Sequence, residues 1–432
     1  MDAKNIIQQE KEFNLKEMKS AYLVGTYHSG GNKSLAEESL LELGRLCDTF
    51  GIAVAGQILC AIKKFDAGLY LGEGKLEEVI QHVAELDASI IIFDDEISPN
   101  QQRNLEAFLK KPVIDRTEVI IEVFAQRAKT KEAQLQIELA KIKYQFPRLK
   151  RMWTHLSRQS SGGGGHVKGE GEKQIEIDRR LLRKRVDQMK KEIESVAAHR
   201  VVQRSSRKRS GIPTFALVGY TNAGKSTVMK ALTGAEVLVE DKLFATLDTT
   251  TRKLSLPNKQ EVLLVDTVGF IRKIPHSLLV SFKSTLEEAI FTDVLIHLID
   301  ISHPLAEEHA EATLEVLHEL GVENQPIITV FNKVDACEDQ ELLRKLKVKY
   351  PRSITISALK QETLLPLEER MIEEVASLRT VLRLRIPQSE YALVSDLMHE
   401  GRIIESEYEE NDVLLVAEIP KQLEYKLKKF IR

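Results

Sequence analysis

One octapeptide constrains the fold of this 432-residue chain more than any other feature. An apolar stretch at 214–218 leads into the sequence GYTNAGKS, and the helical sequence TVMKALTG follows. A strand, a GxxxxGKS loop and a helix in this order predict a phosphate-binding loop, in which backbone N–H groups, a lysine and a serine hydroxyl surround phosphates and Mg²⁺. The predicted nucleotide-binding residues of this loop are Gly219, Tyr220, Thr221, Asn222, Ala223, Gly224, Lys225 and Ser226.

A second motif indicates which base the nucleotide carries. The apolar sequence at 327–331 ends in Asn-Lys-Val-Asp, so a carboxylate is expected at the carboxyl edge of a sheet, where ligands bind. The Asp335 carboxylate can accept the ring N–H and the exocyclic amine of guanine, whereas adenine presents the opposite pattern. A later strand at 353–356 leads into Ser-Ala-Leu, whose backbone can reach the guanine carbonyl. The predicted guanine-binding residues are Asn332, Lys333, Val334, Asp335, Ser357, Ala358 and Leu359.

Two further segments are typical of nucleotide-dependent switches. The strand EVLLVD at 261–266 ends in Asp-Thr-Val-Gly, where Asp266 can hold Mg²⁺ through water and the Gly269 N–H can contact a γ-phosphate. Upstream, LFATLD at 243–248 offers the Thr246 hydroxyl as a second Mg²⁺ ligand beside Ser226, although the threonines at 249–251 compete for that role. These segments add Phe244, Ala245, Thr246, Leu247, Asp248, Asp266, Thr267, Val268 and Gly269 to the predicted site.

The predicted catalytic residues are Lys225, Asp266 and Gly269. Phe270 follows Gly269 at a position where many such enzymes have a glutamine that orients the attacking water. We therefore expect slow unaided hydrolysis of GTP to GDP and phosphate. Groups supplied by a partner or by a rearranged switch would then be needed for faster turnover. Asn222 within the loop suggests K⁺ beside the phosphates, in addition to Mg²⁺.

Composition argues against several other classes. Hydrophobic residues make up 43% and charged residues 29% of the chain, which is typical of globular domains, and no apolar run approaches the ~20 residues that span a bilayer. The three cysteines show no CxxC spacing, the histidines form no HExxH, and the N-terminus does not resemble a secretory signal. We expect a cytoplasmic monomer without stable membrane insertion.

Positive charge is concentrated in one segment. Residues 127–209 contain 23 Lys or Arg and 9 Asp or Glu, a local charge of +14 in a chain whose net charge is −3. This predicts a surface that contacts RNA, with a solvated helix face as the alternative. Within it, the Gly-rich sequence at 151–172 includes Trp153, His155 and Arg158, which suit irregular or single-stranded RNA. A disordered linker is the alternative for that stretch.

The pattern of apolar residues predicts an α/β chain of four domains. They are an N-terminal α/β domain with a largely parallel sheet (1–115), a long antiparallel helix pair with the basic tip at 151–172 (116–209), a GTPase domain with a mostly parallel sheet (210–380), and a small α+β domain (381–432). The first helix of the pair is predicted to be continuous from 116 to 144. The sequence GEGK at 72–75 lacks the spacing of a phosphate loop and is interpreted as a loop that enters a helix.

Taken together, these motifs resemble the translation-factor-related GTPases, and other segments narrow the resemblance to the HflX family of ribosome-associated GTPases. Similar signatures occur at 101–106, 114–140, 144–149 and 243–252, so the resemblance extends over nearly the full chain. Two departures are visible. The family's GPGETQLE stretch is GEGEKQIE here, with Glu170 at the proline position, and Thr249 replaces the proline after Leu-Asp.

The resemblance implies more than the residues alone. It implies Thr246 as the Mg²⁺ ligand, binding to rRNA of the large ribosomal subunit, and separation of stalled 70S ribosomes by the GTP-bound form. It also implies ATP binding by the N-terminal part. The alternatives are a guanine-nucleotide switch in another stress or membrane-protein quality-control pathway, a phosphate-loop kinase or ATPase, and a nucleotide-gated scaffold without useful hydrolysis.

Overall fold

A computed structural model describes the protein at residues 18–148, 180–196, 198, 212–234, 243–244, 247, 249–273, 275, 291–322, 325–390, 393–395, 397, 402–409, 411–421 and 424–431. The chain divides into two compact units. The first comprises residues 1–195, 240–248 and 271–283, and the second comprises residues 196–239, 249–270 and 284–432. The predicted tip at 151–172, and with it Trp153, lies outside the described residues.

The first unit contains a four-stranded sheet in the order β2-β1-β3-β4. All of its strand pairs are parallel, so the prediction of a largely parallel N-terminal sheet is confirmed. Its central strands, β1 and β3, are almost entirely buried, as expected where helices cover both faces. The elements are β1 Ser20–His28, α1 Lys33–Phe50, β2 Ala53–Ile62, α2 Glu73–Glu85, β3 Ile90–Phe93, α3 Pro99–Leu109, β4 Val113–Asp115 and α4 Arg116–Arg127.

The GEGK sequence forms the start of α2. Gly72 is the N-cap residue of this helix, and Lys75 lies in its first turn. The Lys75 ammonium group forms an ion pair with Glu78 at 2.8 Å, one turn further along the helix. The loop therefore enters a helix at this position, and its lysine has a carboxylate partner within the helix.

The prediction of one continuous helix from 116 to 144 is wrong. Helix α4 ends at Arg127, and helix α5, Lys131–Gln145, begins after Thr130. The Thr130 hydroxyl accepts a hydrogen bond from the Ala133 N–H at 3.2 Å, which satisfies one of the free N–H groups of the new first turn. Ala128 has the extended conformation, so the chain turns between the two helices.

Helix α5 packs against a helix at residues 180–196, here α6. Leu135, Leu139 and Ile142 of α5 form one apolar cluster with Leu182 and Met189 of α6. Glu138 accepts three hydrogen bonds from the Arg185 guanidinium group, two at 3.1 Å and one at 3.2 Å, while Arg183 lies over the Phe146 ring. Glu138 thus contacts Arg185, while the later residue Phe146 contacts the earlier residue Arg183. The two helices therefore run in opposite directions, and the predicted antiparallel helix pair is confirmed for the described residues.

Buried charges organise the carboxyl edge of the first unit's sheet. Arg116 is almost fully buried and donates to Asp94 Oδ1 at 2.8 Å and to Glu42. Lys273, which belongs to the same unit, donates to Asp94 Oδ2 at 2.5 Å and to Asp95 Oδ1 at 2.6 Å. Because removing one charge would leave its partners buried without compensation, the network holds these distant chain segments together.

The second unit contains a six-stranded sheet in the order β10-β9-β8-β5-β7-β6. Only β6 within this sheet is antiparallel to its neighbour, so the predicted mostly parallel sheet is confirmed. Apolar clusters cover both faces of the sheet. The elements are β5 Thr214–Gly219, α7 Lys225–Thr233, β6 Thr250–Ser255, β7 Glu261–Asp266, β8 Val294–Asp300, α8 Ala306–Glu319, β9 Ile327–Asn332, α9 Gln340–Lys349, β10 Ile354–Thr355 and α10 Leu365–Leu378.

A small antiparallel sheet completes the second unit. Its strands, β11 Arg379–Pro387, β12 Arg402–Tyr408 and β13 Asp412–Pro420, lie in the order β11-β13-β12, and a short helix, α11 Glu424–Leu427, follows. Alternate residues of β13 are buried in one apolar cluster, which is the period of a strand with one covered face. Within the described ranges, no helix combines the length and the apolar character that crossing a membrane requires.

A buried histidine lies in the middle of the six-stranded sheet. His297 of β8 is 1% exposed and lies between Val218 of β5 and Thr329 of β9 in register. Neither of its ring nitrogens has a hydrogen-bond partner among the described residues. Burial lowers the pKa of His297 to about 4, so the folded protein holds it in the neutral form.

We expect His297 to make the fold sensitive to acid. Below a pH of about 6.5 the unfolded chain binds a proton at this residue and the folded chain does not, so the free energy of unfolding falls as the pH falls. Between pH 7.5 and pH 5 the loss is about 2 kcal/mol. The His297→Leu variant should lose this part of the pH dependence in urea unfolding. Parallel wild-type and variant curves of stability against pH would contradict the assignment.

Candidate functional site

The sequence motifs of the second unit meet at one edge of the six-stranded sheet. Because β5, β7, β8 and β9 are parallel, their carboxyl ends lie at the same edge. The loop that starts at Gly219 follows β5, Asp266 ends β7 and Asn332 ends β9. The sheet therefore gathers motifs that are separated by more than a hundred residues.

A buried lysine occupies the phosphate loop. Lys225 is the first residue of α7 and is 7% exposed. Its Nζ donates to the carbonyl oxygens of Gly219 at 3.1 Å and Tyr220 at 2.8 Å. Burial lowers the pKa of Lys225 to about 8, and the nearby Asp266 carboxylate opposes that shift. Phosphate oxygens are stronger hydrogen-bond acceptors than neutral carbonyl oxygens. This ammonium group is therefore placed to bind phosphate oxygens instead of the two carbonyls.

Two glycines allow the backbone segments to approach closely. Gly224 has φ +88°, and a Cβ there would collide with Nδ2 of Asn332. A Cβ on Gly269 would lie 2.8 Å from Thr221 Cγ2, 2.9 Å from Thr221 Cα and 3.0 Å from Lys225 Nζ. The Asp-Thr-Val-Gly segment therefore lies directly against the phosphate loop, as a shared phosphate cradle requires.

A hydroxyl and a carboxylate lie side by side at the start of α7. Ser226 Oγ donates to Asp266 Oδ2 at 2.7 Å, and the Asp266 side chain is completely buried. Both are hard oxygen ligands of the kind that Mg²⁺ prefers, so the residues present fit a magnesium site. Ser226 can ligate the ion directly, and Asp266 can hold it through a bound water.

The other predicted Mg²⁺ ligand belongs to a segment of which the structure describes only some residues. Thr246 lies outside the described residues, together with Ala245 and Asp248. Of the competing threonines, Thr250 begins β6 and is paired directly with Asp266 across the strands. The other described residues of that segment, Leu243, Phe244 and Leu247, are buried in the first unit, where the Phe244 ring contacts the Phe124 ring at 4.5 Å.

The segment after Asp266 is attached to the phosphate loop by its backbone. The Thr221 N–H donates to the Phe270 carbonyl at 2.7 Å, and the Phe270 N–H donates to the Gly219 carbonyl at 3.1 Å. Thr267 Oγ1 donates to the Leu217 carbonyl at 2.6 Å, while Val268 is buried. The Phe270 side chain is 2% exposed. It therefore packs in the interior, and it has no polar atom with which to orient water.

The predicted guanine motifs are joined through one asparagine. Asn332 Nδ2 donates to the Ala223 carbonyl at 2.9 Å, and its Oδ1 accepts from the Ala358 N–H at 3.1 Å. This side chain thus connects the phosphate loop with the Ser-Ala-Leu segment. Asp335 is exposed, and the neighbouring Ser357 hydroxyl lowers the pKa of its carboxyl group. An ionised, accessible carboxylate is the group that guanine recognition requires.

Other residues of the motif have different environments. Val334 packs against an apolar cluster, whereas Leu359 is 80% exposed. Lys333 has φ +61° and forms an ion pair with Asp300 at 2.7 Å. Asp300 was not among the residues that the sequence predicted. Its position as the last residue of β8, beside β9 in a parallel sheet, is the signal that could have identified it.

Three family models match most of this chain. Residues 37–125 match a family model described as "GTP-binding GTPase N-terminal", residues 127–207 match "GTP-binding GTPase Middle Region", and residues 214–333 match "50S ribosome-binding GTPase". The GTPase HflX of Chlamydia pneumoniae is 46% identical over 414 residues, which cover 95% of this chain and 88% of that protein. This chain belongs to the HflX family of GTPases.

A more distant HflX is also similar over most of its length. The GTPase HflX of Escherichia coli is 39% identical over 376 residues, which cover 87% of this chain and 88% of that protein. Among solved structures, a GTP-binding protein of Sulfolobus solfataricus in complex with GDP is 28% identical, with a TM-score of 0.44, and the match covers 84% of this chain and all of that one. As an HflX family member, this protein is a GTP-hydrolysing enzyme.

We expect Gly269→Ala to damage the site of this HflX family member without unfolding it. The added methyl group would meet the Thr221 backbone and the Lys225 ammonium group, and overpacking of this kind costs about 1–3 kcal/mol. Nucleotide affinity and GTP turnover should therefore fall about fivefold or more. Gly74→Ala is the matched control, because a Cβ at Gly74 meets nothing within 4 Å. If Gly269→Ala binds and hydrolyses GTP like the wild type, the close approach is not needed for function.

Proposed function

We propose that this protein is an Mg²⁺-dependent GTPase that binds the large ribosomal subunit and, in the GTP-bound state, splits or rescues stalled 70S ribosomes. The observation that carries the proposal is the match of residues 214–333 to the family model described as a 50S ribosome-binding GTPase. The positive charge of residues 127–209 supports it independently. A ribosomal partner also favours a cytoplasmic location, and we propose that the protein acts there as a monomer.

We propose that four chain segments divide the work between them. Residues 210–380 would bind and hydrolyse GTP, and residues 127–209 of the segment 116–209 would contact rRNA. Residues 1–115 would also reach rRNA, and residues 381–432 would be an accessory domain. The phosphate loop and the guanine motif support the role proposed for the GTPase region, and the positive charge supports the proposed rRNA contact.

Lys225, Asp266 and Gly269 are the proposed catalytic residues. Lys225 would exchange its carbonyl partners for the β- and γ-phosphate oxygens, and the Gly269 N–H would donate to the γ-phosphate. Ser226 and Thr246 are the proposed protein ligands of Mg²⁺. Bound Mg²⁺ supplies positive charge that neutralises the phosphate oxygens. The guanine base would be held by the Asp335 carboxylate, with Asn332 fixing the surrounding loops.

Activation by a partner follows from the environment of Phe270. Its buried phenyl ring cannot orient the attacking water, so we infer that unaided hydrolysis is slow. A ribosome that supplied or ordered a polar group would then accelerate turnover. Hydrolysis after binding would release the protein from the ribosome. K⁺ bound beside Asn222, which has φ +61° within the phosphate loop, is proposed as a further source of positive charge.

The helix pair supports contact with an anionic partner. Its exposed cations include Lys143 on α5 and Lys190 on α6. Partial burial and the nearby positive charge of Lys190 together lower the pKa of Lys143. Like charges held close on neighbouring helices repel each other, and binding of phosphate groups would relieve that repulsion. Trp153 and the Gly-rich tip remain part of the proposed RNA contact.

We expect ribosomes to stimulate GTP turnover and to bind in a salt-sensitive manner. Steady-state hydrolysis should rise by about tenfold or more with 50S subunits or 70S ribosomes, and Lys225→Ala should abolish it. Cosedimentation with 50S subunits should weaken steeply as salt rises, because phosphate contacts release counterions. The double variant Lys190→Glu, Lys191→Glu should bind 50S subunits more weakly than the wild type does at the same salt concentration. Arg344→Glu, Lys347→Glu is the control, with two exposed cations on a helix of the second unit reversed.

Each outcome of this assay has a distinct meaning. An absence of cosedimentation at low salt would contradict ribosome binding. Binding without stimulation would point to a different activator and favour a guanine-nucleotide switch in another pathway. The same assay in K⁺ and Na⁺ buffers tests the role of Asn222, and equal turnover in both would contradict a K⁺ site.

A further inference from the structure

Two histidines of the second unit lie against the phosphate loop. The Tyr220 ring is stacked on the His309 ring, with centroids 3.8 Å apart and planes inclined by 4°. The His303 ring contacts His309, with centroids 4.4 Å apart and planes inclined by 38°. Tyr220 is the first residue after Gly219 in the loop, whereas His309 lies in the first turn of α8 and His303 in the connection between β8 and α8. The stack therefore joins the loop to a neighbouring helix.

The histidine segment is itself well fixed. The His303 ring nitrogen Nδ1 accepts a hydrogen bond from the Leu305 N–H at 3.1 Å, and the Ala306 N–H donates to the His303 carbonyl at 3.0 Å. The His309 N–H donates to the Leu305 carbonyl at 3.0 Å. The turn that carries His303 and His309 is thus held by these hydrogen bonds.

The Tyr220 backbone connects two parts of the nucleotide site. Its carbonyl oxygen accepts from Lys225 Nζ at 2.8 Å and from the Ala223 N–H at 3.3 Å. Tyr220 also forms a parallel bridge with Phe270, through hydrogen bonds made by the residues on either side of it. The side chain is 6% exposed, so its ring has little freedom to leave the stack. Restraining this ring restrains both the lysine and the segment that contains Gly269.

We propose that His309 is a positioning residue for the phosphate loop. By stacking on Tyr220 it holds the loop in the form that accepts phosphates before the nucleotide arrives, so that less conformational entropy is lost on binding. His303 supports the His309 ring. This role concerns nucleotide binding by the GTPase site and does not depend on the proposed action at the ribosome.

The proposed role depends on the flat aromatic ring of His309 and not only on the volume that its side chain fills. A parallel stack of aromatic rings contributes about 0.5–1.5 kcal/mol beyond burial, which corresponds to a change of about two- to tenfold in affinity. An aliphatic side chain of similar volume would fill the space without that contribution. His309→Phe keeps a flat ring, and His309→Leu does not. His318→Leu on the exposed end of the same helix is the matched control.

The test is equilibrium binding and dissociation of fluorescent mant-GDP, together with the melting temperature of each variant without nucleotide. We expect His309→Leu to raise the dissociation constant about two- to tenfold. We expect His309→Phe and the His318 control to stay within about twofold of the wild type. In GTP turnover, His309→Leu should raise KM more than it lowers kcat, because it alters the loop before the chemical step.

Three results would overturn the proposal. The first is wild-type affinity in His309→Leu, even if its melting temperature falls, since the histidine would then serve stability alone. The second is equal loss of affinity in His309→Phe and His309→Leu, which would exclude a role for the ring. If His309→Leu fails to fold, Tyr220→Leu removes the other ring of the stack, and the third contrary result is wild-type affinity in that variant.

Discussion

A buried ammonium group determines the arrangement of the nucleotide site. Lys225 has little contact with water, and burying an unpaired cation costs far more free energy than the fold can spare. Two loop carbonyls and the nearby Asp266 carboxylate compensate for this cost. The loop must therefore wrap closely around the lysine. That shape is also the one that surrounds a phosphate, so the packing of the lysine and the function of the site have the same origin.

The parallel sheet turns this local arrangement into a complete site. Because neighbouring strands end at one edge, Asp266 reaches Ser226 and Asn332 reaches the loop carbonyl of Ala223. Gly269 then lies against Thr221 without room for a side chain. Movement of any one segment would disturb the others. Such coupling is the property that a switch responding to a γ-phosphate would need.

The motifs of the site could be predicted from the sequence because each is formed by residues that are close together in the chain. A strand, a Gly-rich loop and a lysine are adjacent in the chain, and the order of the motifs fixes the sheet edge that they share. The break between α4 and α5 was missed because apolar residues continue at helical spacing across it, and the capping role of Thr130 outweighed that pattern. The stack of Tyr220 on His309 joins residues far apart in the chain, and no local spacing indicates such a contact.

We propose that nucleotide binding replaces the carbonyl partners of Lys225 with phosphate oxygens. The most direct measurement is an NMR titration of the Lys225 side chain, assigned with a Lys225→Met variant, in the empty protein and in the Mg²⁺–GDP complex. We predict a pKa of about 8 in the empty protein, where burial dominates. In the complex we predict a higher pKa, because the phosphate charge stabilises the ammonium form. Equal pKa values in the two states would contradict the claim.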